Sequence, residues 1–104
     1  MYILTITYPN VDGATFDYDY YRSTHLPMVG EAFGPHGLGY ASVLKGEGGA
    51  DGSPPTFLTY AVFSFREEEG AKAAMAAEST QKLIEDLPNF TNVTPIIQFN
   101  TAIP

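Results

Sequence analysis

The segment at residues 56–65, TFLTYAVFSF, constrains this chain more than any other stretch. β-Branched and aromatic residues dominate it, so it reads as a strand. Successive side chains of a strand point to opposite faces. Phe57, Ala61, Phe63 and Phe65 therefore share one face, while Leu58, Tyr60 and Val62 share the other. A sheet covered on one side only alternates apolar with polar residues, and this strand does not. Residues 2–8 behave similarly: Tyr2, Leu4, Ile6 and Tyr8 lie on one face and Ile3, Thr5 and Thr7 on the other, with Pro9-Asn10 as the stop. A chain of 104 residues with two helical regions cannot cover both faces of such a sheet. The economical cover for the second face is another copy of the chain, packed sheet against sheet in a two-fold homodimer.

The remaining elements follow from periodicity and breakers. Asp17 is a candidate N-cap, and Tyr18, Tyr21, His25, Met28 or Val29, and Ala32 recur at helical spacing after it. Pro27 lacks the N–H that Ser23 needs, which predicts a kink or two abutting helical segments. Gly34-Pro35 ends the element. Residues 38–45 form a second strand, and residues 46–55, rich in Gly and Pro, a loop. Ser64 and Glu67 fit a capping box opening a second helix, with Glu67, Glu68 and Glu69 near its positive end. An Ala-rich run continues that helix, and Ser79 or Thr80 restarts a short one through Leu87. Residues 93–101 form the last strand, which Pro95 assigns to a sheet edge. The order βαββαβ is the ferredoxin-like arrangement: an α+β domain over residues 1–104, with helices on one face of a four-stranded antiparallel sheet.

Charge and composition narrow the function. Twelve acids against five bases leave a formal charge of −7. No basic patch exists to displace phosphate counterions, which argues against nucleic acid and against an anionic membrane. No apolar run approaches the roughly 20 residues of a membrane span. The start of the chain reads as a strand and not as a signal peptide. Zero cysteines exclude disulfides, thiolate metal sites and a Cys nucleophile. The default compartment is reduced and cytoplasmic.

His25 is the leading candidate for chemistry. Tyr18 and Tyr21 precede it by seven and four residues, so the three share a helix face that looks toward the sheet. An imidazole held there can move a proton near neutral pH; the alternative is a core histidine satisfied by a neighbour. Tyr21 is expected to assist His25, with Tyr18, Met28, Tyr60 and His36 as substrate-binding side chains. Composition alone explains His36 as a turn residue in Gly34-Pro35-His36-Gly37. Tyr20 reads as a packing residue with its hydroxyl toward solvent or a partner, and Arg22 as one half of a surface ion pair. No metal spacing such as HxH or HExxH occurs, no phosphate-loop or dinucleotide fingerprint is present, and no cofactor is expected.

Two stretches resemble the EthD family of small dimeric α+β barrel proteins. One is residues 16–29, FDYDYYRSTHLPMV, with an aromatic pair followed by H-x-P. The other is residues 86–95, DLPNFTNVTP. The resemblance implies a homodimer whose sheets pack into a barrel, with a cavity between each sheet and its helices. It carries His25 onto the family's H-x-P position and leaves residues 86–95 as a structural signature without a catalytic role. Related barrels include isomerases, cyclases, dehydratases and heme-free monooxygenases. The resemblance thus implies a cofactor-independent catalyst of proton transfer on a small, hydrophobic, oxygenated metabolite. The alternative is a non-catalytic accessory or binding protein for an oxygenase pathway, the family's oxidoreductase label being one of association. Glu67-Glu68-Glu69-Gly70 departs from the usual small-residue entry to the second helix.

Overall fold

The computed structural model describes all 104 residues. Strands β1 (Tyr2–Pro9), β2 (Leu38–Lys45), β3 (Phe57–Phe65) and β4 (Ile96–Asn100) form one antiparallel sheet in the order β2-β3-β1-β4. This is the ferredoxin-like order expected from the sequence, with the most apolar strands, β1 and β3, at the centre. The edge position of β4 follows as Pro95 requires. The strand is shorter than expected because pairing with β1 starts only at Ile96 opposite Thr7, beyond the residue that cannot donate to the ladder.

The first helix, α1, starts at Tyr18–Tyr20, widens through a π turn at Tyr21–His25 and continues as Leu26–Phe33. Asp17 caps it, its carboxylate accepting from the Tyr20 N–H at 3.1 Å. The predicted interruption at Pro27 takes a specific form. The Leu26 N–H donates to the Tyr21 carbonyl, an i→i+5 closure that inserts one extra residue just ahead of the proline. Helices α2 (Glu68–Ala76) and α3 (Glu78–Asp86) follow β3, and short 3₁₀ turns at Gly34–His36 and Leu87–Asn89 end α1 and α3. Gly37 closes the first of these turns at φ 92°, where a side chain would be strained.

The Ser64–Glu67 capping box does not form. Ser64 is an interior residue of β3, and Glu67 is the extended residue before α2, without a side-chain cap. Glu68 and Glu69 still occupy the first turn, where the helix dipole favours them. Gly70 explains the departure at the entry to α2: a Cβ there would collide with the His36 carbonyl, so the glycine lets α2 close on the preceding turn.

Register assigns the faces. Leu4 opposite Phe63 and Ile6 opposite Ala61 lie under the helices. There Leu4, Val29, Phe33, Phe63 and Phe65 belong to the main core. The other face carries Tyr40, Leu44, Tyr60 and Ile96, which are 53, 55, 38 and 52% exposed. Thr5, Thr7, Ser42, Ser64 and Gln98 lie among them in the same register, so the face is more mixed than β3 alone suggests.

Candidate active site

The π turn delivers His25 to the interface between α1, α3 and the sheet, where it is 4% exposed. Asp86, the last residue of α3, meets it: His25 Nδ1 lies 2.9 Å from Asp86 Oδ2. The other carboxylate oxygen, Oδ1, accepts from the Tyr20 hydroxyl at 2.7 Å and from Asn89 Nδ2 at 2.9 Å. Both oxygens are thus engaged, as a buried carboxylate requires. The imidazole stacks on Tyr21, with centroids 5.5 Å apart, and tilts against Phe90 at 4.5 Å.

Burial lowers the His25 pKa, the bond and charge of Asp86 oppose the effect, and the net direction is downward. The ring is therefore neutral at pH 7. For Asp86 burial pushes upward, but the bonds from Asn89, Tyr20 and His25 outweigh it, and the carboxyl is held below its ordinary range. An ionised Asp86 beside a neutral His25 fixes the proton on Nδ1 and leaves the Nε2 lone pair free. Burial raises the Tyr21 phenol, and burial together with Tyr21 raises that of Tyr8, so both stay protonated.

His25 lines a void of about 40 Å³ whose wall is otherwise mainly apolar and includes Tyr8, Val29, Leu83, Ile84 and Ile97. One water needs roughly 10–15 Å³, so the void admits the reactive end of a molecule. Ile84 and Ile97 are 45 and 42% exposed and form its rim.

Tyr21 is the expected side chain that the fold does place against His25. The others go elsewhere. The Tyr18 hydroxyl donates to the Leu58 carbonyl at 2.7 Å, and its ring lines a separate cleft. Met28 packs against the main core, and Val29, four residues after His25 on the same helix face, stands in the wall instead. Tyr60 is directed to the sheet face away from the helices. His36 sits in its 3₁₀ turn beside Arg66 and Glu67, in a depression that His25 does not share. Arg22 pairs with Asp19 at 3.2 Å, as expected.

Sequence reasoning missed Asp86, Tyr20 and Asn89. Asp86 and Asn89 lie inside the DLPNF stretch read as purely structural, yet the spacing was a signal. An Asp at a helix end, followed by Pro and by an Asn three residues on, places two polar side chains on one tight turn. No group of three His, Asp or Glu side chains gathers in a way that could hold a metal ion.

Sheet order, a helix widened at its histidine and a buried His–carboxylate pair define a ferredoxin-like α+β protein with a helix–sheet site. The sequence profile of the EthD domain matches residues 3–94. The chain belongs to the EthD family. It is similar to an EthD-like protein of Ralstonia eutropha JMP134, with 33% identity over 95% of this chain and 88% of that one and a TM-score of 0.85. An EthD family protein of Bacillus halodurans C-125 shares the fold at 19% identity over 99% of both chains, with a TM-score of 0.77. SnoaB from Streptomyces nogalater, described as a cofactor-independent oxygenase, shares it at 13% identity over 97% of this chain and 90% of that one, with a TM-score of 0.60. Among curated proteins nothing matches.

Proposed function

We propose that this protein is a cofactor-independent catalyst of proton transfer on a small, largely apolar carbonyl compound. The observation that carries the reading is the buried His25–Asp86 pair, with one imidazole nitrogen held by a carboxylate and the ring lining an apolar void. His25 Nε2 takes the proton from a carbon next to the carbonyl, the enolate forms, and the imidazolium returns the proton at a second position. The net reaction is isomerisation; if the enolate instead expels a β-hydroxyl, which takes the imidazolium proton and leaves as water, the reaction is a dehydration, and if it attacks a second carbonyl, whose alkoxide takes that proton, a cyclisation. Asp86 is a positioning residue, and Tyr20 and Asn89 hold Asp86. Tyr21 supports the ring face.

Deuterium exchange at the acidic carbon of benzoylacetone in D₂O, followed by NMR, tests the base. His25→Ala is expected to slow protein-dependent exchange by about 10²–10⁴-fold. Asp86→Asn is expected to do the same, because an amide N–H given to Nδ1 moves the ring proton onto Nε2. Exchange by both variants at the unaltered rate refutes the reading.

The mainly apolar lining of the void favours a second reading, an accessory protein that holds a hydrophobic oxygenated ligand for a partner oxidase. It predicts ligand retained without conversion, which mass spectrometry of the incubated mixture separates from catalysis. An oxidoreductase role is carried only by family association and by the named activity of SnoaB. The sheet-to-sheet homodimer is part of the proposal, supported by Tyr40, Leu44, Tyr60 and Ile96 on the uncovered face. Light scattering should return twice the chain mass of 11.3 kDa, and a value at the chain mass refutes it. No helix is long and apolar enough to cross a membrane; residence in the cytoplasm is proposed from the cysteine-free composition.

A further inference from the structure

Tyr21, which stacks on His25, also lines a second cleft, of about 220 Å³, between the start of α1 and strands β2 and β3. Leu26 and Val43 supply apolar wall, and Tyr18, Arg22, Lys45 and Thr59 supply polar groups. Thr59 is 1% exposed, and no protein group bonds its hydroxyl. A buried hydroxyl without a partner costs stability, so its presence in a cleft wall calls for a ligand that completes it.

The charge of the cleft runs against that of the molecule. The chain carries five Lys and Arg against twelve acids, yet two of the five, Arg22 and Lys45, line this one cleft. Lys45 pairs with Thr59 across the β2–β3 ladder, so its side chain leaves the sheet on the same face. Its ammonium rests 4.6 Å from the centre of the Tyr18 ring and makes no ion pair. The Tyr18 ring is itself fixed through the hydroxyl bonded to Leu58. Arg22 is held only by Asp19, in a pair exposed on both sides and therefore readily exchanged.

We propose that this cleft binds a compact aromatic carboxylate. The ring lies against Leu26 and Val43, and the carboxylate accepts from the Thr59 hydroxyl once that side chain turns from its closed position toward the cleft, with Lys45 and Arg22 supplying positive charge at the mouth. The volume suits such a ligand: an apolar cavity of about 150 Å³ admits benzene. The site is separate from the His25 void, and the proposal stands whether or not His25 is a base.

The test titrates naphthalene-2-carboxylate and its neutral carboxamide into the full chain, followed by NMR at the Leu26 and Val43 methyls and the Thr59 amide. The carboxylate is expected to shift all three and to bind at least about threefold tighter than the amide, a gap that Lys45→Gln closes. Thr59→Val is expected to weaken carboxylate binding about tenfold, while the thermal midpoint of the free protein stays level or rises. A purely structural hydroxyl gives the reverse, a lower midpoint with unchanged affinity, and overturns the proposal. Equal binding of acid and amide, or no shift at these positions up to the solubility limit, overturns it too. His25→Ala should leave the affinity untouched; if it abolishes binding, the ligand occupies the other void and the proposal falls.

Discussion

Two apolar clusters hold the helices to the sheet, and they differ in kind. The larger gathers ten buried residues, among them Leu4, Val29, Phe33, Phe63 and Phe65. Its side chains carry no polar atoms, and Phe33 meets Phe63 edge to face, at 5.4 Å and 89°, and Phe65 at a tilt of 54°. The smaller is built on Tyr8, Tyr21 and Phe90 and encloses His25. Two of its three rings end in a phenol, the helix above it is widened by a π turn, and a carboxylate is buried at its edge. The first cluster holds the chain together with purely apolar contacts, and through Val29, Phe33 and Leu83 it also supplies part of the wall of the His25 void. The second spends part of its packing on keeping an uncharged imidazole beside a charged carboxylate, an arrangement that burial alone opposes. In a chain this short, cohesion and chemistry share a single helix: the middle of α1 holds the imidazole, and its end, with Val29 and Phe33, anchors the fold and backs the void.

The sharpest way to break this contrast is to empty the larger cluster. Phe33→Ala should lower unfolding free energy by about 3–5 kcal/mol in urea denaturation. A loss under about 1 kcal/mol would mean that cohesion is not concentrated there. The next effect comes from pH. Because the folded pKa of His25 lies below its ordinary value, the unfolded chain binds the extra proton first as pH falls. The stability tied to neutral His25 is intact above about pH 6.5 and declines from there down to the folded pKa, with a slope of at most about 1.4 kcal/mol per pH unit. Asp86, whose folded pKa is also lowered, gives up its contribution only in more acid solution, below its own ordinary value of 3.8. Urea titrations at steps of pH should show the first decline in the parent protein and not in His25→Gln. Stability that rises over this window would instead indicate an imidazolium paired with Asp86, and no free base. The smallest effect belongs to Ser64, fully buried on the face away from the helices with an unpartnered hydroxyl. Ser64→Ala should change unfolding free energy by less than about 1 kcal/mol. A loss above about 2 kcal/mol would reveal a bond to that hydroxyl supplied by a second copy.

Most of the architecture was legible because local signals agreed with the global fold. β-Branched and aromatic runs marked β1 and β3, Asp17 marked the start of α1, and Pro95 marked the edge. His25 was legible as the candidate, and its acceptor was not. Asp86 lies 61 residues away, and no periodicity connects a helix interior with the end of another helix. Tyr20 was hidden for a different reason. On a regular helix, residues five apart point well away from each other at 3.6 residues per turn. The π turn brings Tyr20 and His25 to the same carboxylate. Met28 and Val29 both follow His25 at helical spacing, and only the packing against the sheet puts Val29 in the cavity wall. His36 and Tyr60 were assigned by residue type alone, with nothing in the pattern to place them near His25.

The widened turn also implies that this site is specified by counting. Arg22, Ser23 and Thr24 are exposed, and their side chains bond neither His25 nor Asp86. Substitution along this stretch leaves the histidine where it is. Removing any one of the three returns the helix to regular pitch and swings Tyr20 off the carboxylate it now shares with His25. What the segment contributes to the His25 site is its length, and a lineage could gain or lose that site by a single codon.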